Sequence, residues 1–282
     1  MIRLKFLIIL LLFCPLLARS QGIRVYYGFE RKQSLKDTKY SAYMDMRTDY
    51  DGSTAAFYSE KAFVKDSLRQ FAFDKNGNSL DNEAYSKLVS LPGGMKEVSL
   101  IDFKSNTVVN GYMPASIIIR GSGRLESSAW SLTEETGELD GYKTKKAVGE
   151  YYGRKWTIWY TEEIPYNVGP WLFWGAPGLI VKAEDEDKIF SFYMIYVEEL
   201  SSKSRYDFMN ACYDASSSLY GRGYKKYNLD LKDAEKMYTK IMNDMDYLND
   251  LIGINKISVK GDLNQVRAKF KYIPLISESY WK

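Results

Sequence analysis

Five carboxylates bracket one stretch of the chain and are the side chains best spaced to do chemistry. Glu162 and Glu163 precede it, and Glu184, Asp185 and Asp187 follow it. Two carboxylates held about 5 to 10 Å apart are the minimum for glycoside hydrolysis, one as acid and the other as base or nucleophile. Asp185 and Asp187 are also oxygen donors two residues apart, a beginning of a calcium set. No further ligands follow at regular spacing, and Ala183 to Lys188 reads as an acidic turn between strands. The sequence contains no histidine, which removes Ser-His-Asp and Cys-His arrangements and the commonest ligand of zinc and copper. The expectation is therefore a protein that is not an enzyme, with no catalytic residues, no metal site and no cofactor. A carboxylate-based hydrolase is the catalytic alternative.

The bracketed stretch is rich in aromatics. Trp156 to Thr161 alternates as a strand, with Trp156, Ile158 and Tyr160 on one face and Thr157, Trp159 and Thr161 on the other. Pro165 ends it by removing a ladder donor. A loop follows in which Gly169, Pro170, Gly175, Pro177 and Gly178 surround Trp171, Phe173 and Trp174, and the chain re-enters a sheet at Leu179. Pro177-Gly178 suggests a type II turn, with glycine supplying positive φ. Two arrangements fit so apolar a loop. It tucks under the sheet as a hydrophobic plug, or it forms an exposed lip that meets a lipid, a sugar ring or a protein. In the second arrangement Trp159, Trp171, Phe173 and Trp174 are the contact residues, with Tyr160 and Glu163 anchoring the base of the loop.

The elements that would carry this loop are mostly strands. Ile23 to Glu30, Ala42 to Arg47 and Gln265 to Tyr272 alternate with period two. Val98 to Phe103 and Ser116 to Arg120 are short apolar runs. Ile189 to Val197 is apolar on both faces, as in a strand covered on both sides. Helices are few: Phe63 to Phe71, Glu83 to Leu91 with Asp81 as cap, and Tyr206 to Leu219 around Cys212. A longer one runs from an Asp230 cap to about Leu251, where Ala234, Met237, Ile241, Met245 and Leu248 form one stripe and Gly253 is the stop. Boundary zones are expected at Gly137 to Gly141 and Gly221 to Lys226. The fold class is mainly β: one curved antiparallel sheet or half-barrel with helices packed on it, including one near 230–252.

The ordered words of the central stretch resemble the GLPGLI family of exported Bacteroidota proteins. The eponymous segment stands here as Gly175-Ala176-Pro177-Gly178-Leu179-Ile180. It is preceded by Gly141-Tyr142 with Lys146-Ala147, Gly153-Arg154-Lys155-Trp156, Trp159 to Pro165 and Gly169-Pro170-Trp171; upstream, Phe57-Tyr58-Ser59 with Asp66-Ser67 is similar too. Ala176 departs from the family's leucine, and Thr144 stands where many relatives carry cysteine. The resemblance implies an envelope protein of uncharacterised activity and brings no catalytic residues with it.

Residues 1–20 read as a cleaved secretory signal peptide. Arg3 and Lys5 give a positive start, Phe6 to Leu17 is an apolar run, and Ala18-Arg19-Ser20 precedes a mature N-terminus at Gln21. The run is shorter than the roughly 17 to 20 residues a bilayer span needs. The domain expectation is thus a leader at 1–20 and one β-rich GLPGLI-type domain over 21–282. The leader's three basic residues account for the whole formal charge of +3, so the remainder is balanced and carries no basic stripe for nucleic acid. After processing only Cys212 remains, which leaves no intrachain disulfide. With 24 Tyr, 13 Phe and 6 Trp, an aromatic β core must supply the stability. The expected role is non-catalytic binding of a lipid or other hydrophobic ligand, or of an envelope partner, in the periplasm or outer envelope. Docking on an outer-membrane protein as a structural or assembly factor is the other possibility.

Overall fold

The computed structural model describes residues 22–72, 81–91, 97–115, 117–128, 130–200, 225–253 and 272–281. The leader, the helix expected around Cys212 and the alternating stretch from Gln265 to Lys271 lie outside these residues.

Twelve strands form one sheet. In chain order they are β1 (Ile23–Arg31), β2 (Ala42–Tyr50), β3 (Thr54–Ser59), β4 (Glu97–Asp102), β5 (Thr107–Tyr112), β6 (Ile117–Arg124), β7 (Ser131–Leu139), β8 (Tyr142–Tyr151), β9 (Arg154–Thr161), β10 (Leu179–Asp185), β11 (Phe190–Glu199) and β12 (Lys225–Asp230). The spatial order is β12-β6-β5-β4-β3-β2-β1-β11-β10-β9-β8-β7. The mainly β expectation holds, with one difference: β12 pairs parallel to β6, so the sheet is mixed. Gly137 to Gly141 is no boundary. Leu139 pairs with Tyr142 across Asp140 and Gly141, both at positive φ, the Asp-Gly chemistry of a tight hairpin.

One face of the sheet carries the main core. Ile23, Val25, Tyr27 and Phe29 of β1 pack there with Trp156 and Ile158 of β9 and Phe190 and Phe192 of β11. Farther along the same face, Tyr112, Ile117 and Ile119 meet α3 (Leu231–Asn243) and α4 (Met245–Ile252). The opposite, outer face is covered in part by α1 (Glu60–Ala72) and α2 (Asn82–Ser90), where Phe63 packs with Ala56, Tyr58, Val98 and Leu100.

The capping expectations hold at Asp81, Asp230 and Gly253. The single helix expected from Asp230 to Leu251 is two helices. Asp244 takes an extended backbone and caps the second by accepting from the Tyr247 amide; its short carboxylate competes for backbone donors and starts a new helix. β11 lies centrally and is buried on both faces from Phe190 to Phe192, but it is not covered along its length. The register with β1 shifts between Tyr26 and Tyr27, and beyond that bulge Ile195 and Tyr196 are exposed. No helix among the described residues is long and apolar enough to cross a membrane.

Candidate interaction face

The aromatic loop between β9 and β10 folds inward as a plug. Trp171, Leu172 and Phe173 are buried in the main core. Phe173 meets Trp156 edge-on at 4.8 Å between centroids, and Trp171 meets Phe173 at 5.2 Å. The loop is fastened by main chain: the Tyr151 hydroxyl donates to Leu172 O, Thr48 to Gly169 O and Tyr27 to Ile180 O. Trp174 sits half-buried at the edge and donates from Nε1 to Glu126 O.

Gly178 does not have the positive φ expected of a type II turn. Glycine is required there for close approach instead, since a Cβ would lie 2.0 Å from Thr161 O. Trp171 and Gly175 are the loop residues at positive φ, and a Cβ on Gly175 would strike the Ser128 side chain. Pro170 and Leu179 are buried beneath the loop and Pro177 is exposed. Ala176 is buried too, and Thr144 holds a buried Oγ1 without a hydrogen-bond partner.

The six proposed contact residues therefore separate. Trp171, Phe173 and Tyr160 are core side chains, and Trp174 is at the rim. Glu163 is exposed and accepts from the Lys143 amide. Trp159 alone lies on the outer face of the sheet.

There it joins a row that crosses six strands. Asp45 of β2 pairs with Gly28 of β1, Gly28 with Tyr193 of β11, Tyr193 with Lys182 of β10, Lys182 with Trp159 of β9 and Trp159 with Lys146 of β8. The Tyr193 ring lies over Gly28, whose missing Cβ would come 2.4 Å from it. Lys182 Nζ sits 4.6 Å from the centre of a Trp159 ring. Beside this row Tyr26 and Tyr196 stack at 4.1 Å, and Tyr43, Ile195 and Tyr196 are each close to half exposed.

The face is braced by a buried polar network on its own side, next to Tyr26. Arg24 makes a two-pronged ion pair with the wholly buried Asp49, through Nε at 2.7 Å and Nη2 at 3.0 Å. That hydrogen-bonded pairing raises the Arg24 pKa against the opposing effect of burial. Tyr58 donates to Asp49 and accepts from Arg47, whose guanidinium also pairs with Glu60 and lies near the Tyr26 ring. Three acids stand beside this network: Glu198 accepts from Tyr26 and from Arg24, Asp45 accepts from Tyr43 and pairs with Lys61, and Glu30 lies across from Tyr43. Hydrogen bonds from Lys61 and Tyr43 hold the Asp45 carboxyl below its ordinary pKa, and partial burial, with the Tyr26 contact, pushes the Tyr196 phenol up to about 12.

An open depression of about 590 Å³ adjoins Trp159 and gathers Glu150, Glu184 and Glu186 with Lys146, Lys155 and Thr157. Two of these acids are tied to lysines, Glu184 to Lys182 at 3.1 Å and Glu186 to Lys155 at 3.4 Å. Asp185 faces inward, where Oδ1 accepts from the Ile189 and Phe190 amides and Oδ2 meets Arg154. Its role is to close the acidic turn. No cluster of metal-binding side chains occurs among the described residues. Sequence reasoning missed Tyr26, Tyr43, Tyr193 and Tyr196; the alternation placed Tyr26 and Tyr43 on outward positions, but no local signal told that this side stays uncovered.

No protein-family model matches the chain, and no curated protein matches it. Among solved structures it is similar to PNGF-II in two crystal forms. In the P21 form the identity is 16% over 74% of this chain, with a TM-score of 0.44; in the C2 form it is 19% over 76%, with a TM-score of 0.46. The chain spans about a third of PNGF-II, 31% and 32% of the two chains, and likenesses this distant carry no conclusion about function.

Proposed function

We propose that this is an exported, non-catalytic envelope protein of the GLPGLI type that binds another protein through the outer face of β2, β1, β11, β10 and β9. The observation that carries the reading is the Tyr26–Tyr196 stack beside exposed Tyr43 and Ile195. Aromatic side chains mounted on a rigid sheet lose little conformational entropy on contact, which suits them to interfaces. Glu30 beside them, with Asp45 and Glu198 whose internal partners Lys61 and Arg24 a basic side chain would have to share, favours a partner that presents basic side chains. A lipid carrier fits less well, because Trp171, Leu172 and Phe173 fill the apolar side of the sheet where an acyl chain would lie. The hydrolase alternative has less support, since Glu162, Glu184 and Glu186 are each paired with a lysine.

The test is photo-crosslinking in cells from a benzoylphenylalanine placed at Tyr196 or Trp159, with exposed Lys104 as the control position. A discrete protein adduct from the first two positions, absent from the control and lost when Asp45 and Glu198 are changed to lysine, is the expected result. Adducts of lipid mass, equal labelling at all three positions, or an adduct indifferent to the charge reversal would overturn the reading.

A further inference from the structure

On the core side of the sheet, under α3, two carboxylates are held without a cation. Glu235 projects from α3 and is 2% exposed; its Oε1 accepts from Asn110 Nδ2 of β5 at 3.0 Å. Glu97 of β4 accepts from the Tyr238 hydroxyl of α3 at 2.7 Å and from the Tyr272 hydroxyl of the C-terminal segment at 3.4 Å. Neither has a salt bridge to a described residue. The charge of Arg31 of β1 reaches Glu97, but its guanidinium donates to Ile273 O and lies over the Tyr272 ring. Thr239 and Asn110 each contribute a buried oxygen with no partner. These groups, from β1, β4, β5, α3 and the C-terminal segment, are the polar and charged ones described around Glu235.

The helix cannot shift a little to hydrate this carboxyl. Ala234 packs so tightly on β6 that a Cβ at Gly121 would lie 2.5 Å from its methyl. Leu231, Tyr238 and Ile241 fill the remaining contact. Water reaches Glu235 only if α3 leaves the sheet. Asn243, at the end of α3, is bonded both ways to the Tyr272 main chain, while Arg31 and Arg154 hold the carbonyls of Ile273, Pro274 and Leu275 on the main core, so a lifting helix must release Tyr272.

We propose that α3 forms a proton-controlled flap, seated while Glu235 is protonated and lifted from β5 and β6 when that carboxyl ionises. Lifting would uncover Tyr112, Ile117 and Ile119, which are buried in the seated state. Burial, with the Glu97 charge adding to it, raises the Glu235 pKa from 4.5 to about 8, and burial also raises that of Glu97. Below about pH 4.5 both seated and lifted forms hold the proton, and pH does not bias them. Between there and about pH 8 only the seated form holds it, so the lifted fraction grows about tenfold per pH unit. Above about pH 8 both forms are ionised and the effect levels off.

Amide hydrogen exchange of the folded chain, corrected for the intrinsic pH dependence of exchange, reads this directly. Protection of residues 231–252 should fall about fiftyfold between pH 6 and pH 8, while β1 and β11 keep theirs. Glu235→Gln should hold the helix within a few-fold of one value across that range. Equal protection of the wild-type helix at both pH values, or the same fall in the glutamine variant, overturns the proposal. Should the variant not fold, the wild-type series decides alone: a slope that flattens near pH 8 supports the flap, and protection that is level or rising with pH refutes it.

Discussion

The methyl of Ala234 occupies the space that a side chain on Gly121 would need, and the Leu231 Cα lies 3.2 Å from the same point. Helix α3 therefore rides directly on the backbone of β6. Gly121→Val must push the helix away, and overpacking of this kind costs about 1–3 kcal/mol. A urea titration should show that loss, and exchange of the 231–252 amides should rise more than exchange in β1.

Phe173 and Tyr196 are both aromatic, yet they should respond oppositely to truncation. Phe173→Ala removes a side chain buried against Trp156, Trp171 and Phe192 and should cost about 3–5 kcal/mol. Tyr196→Ala removes an exposed ring whose main contact is the Tyr26 stack, worth about 0.5–1.5 kcal/mol. Comparable losses in the two denaturation curves would contradict the division between plug and open face.

Asp49 is the common acceptor of Arg24 and Tyr58. Asp49→Ala leaves the buried Arg24 guanidinium with only the longer contact to half-exposed Glu198, and breaking such a buried pair costs about 3–5 kcal/mol. Arg24→Ala in the Asp49→Ala background should cost much less than Arg24→Ala alone. A double-mutant cycle measures that coupling.

Burial raises the pKa of Asp185, although the Phe190 and Ile189 amides and Arg154 oppose it. A carboxyl with a raised folded pKa contributes most below its unfolded pKa, and that contribution declines as pH climbs towards the folded one. Glu97 and Glu235 act in the same direction. The urea midpoint should therefore fall between pH 5 and pH 8. Asp185→Asn keeps an acceptor for the two amides, so it should be milder than Asp185→Ala at every pH.

Export should be visible at the N-terminus. Protein recovered from the envelope should begin at Gln21, and an intact mass that retained residues 1–20 would refute cleavage after Ser20.

Much of the fold was legible because it is written locally. Period-two alternation grouped Val25, Tyr27 and Phe29 on one side of β1 and Trp156, Ile158 and Tyr160 on one side of β9, and both sets are buried in the same core. Asp81, Asp230 and Gly253 marked helix ends because capping depends on a single residue and the adjoining backbone. The break at Asp244 was missed because the apolar stripe continues through it.

By itself the sequence determined the β class, the helix termini and an unusually apolar loop with glycines at its bends. Only the tertiary structure decided which way that loop faces, because pairing Phe173 with Trp156 and Phe192 depends on strands distant in the chain. It also decided what each outward position meets. Alternation assigns a side chain to a face, but whether that face lies under a helix or in solvent follows from the placement of other elements. Tyr58 and Tyr26 both point outward from their strands, yet α1 covers the first, and the second stacks with Tyr196 on the open face. The same long-range packing buries Glu235, whose place between buried Ala234 and exposed Lys236 gives no sign of it.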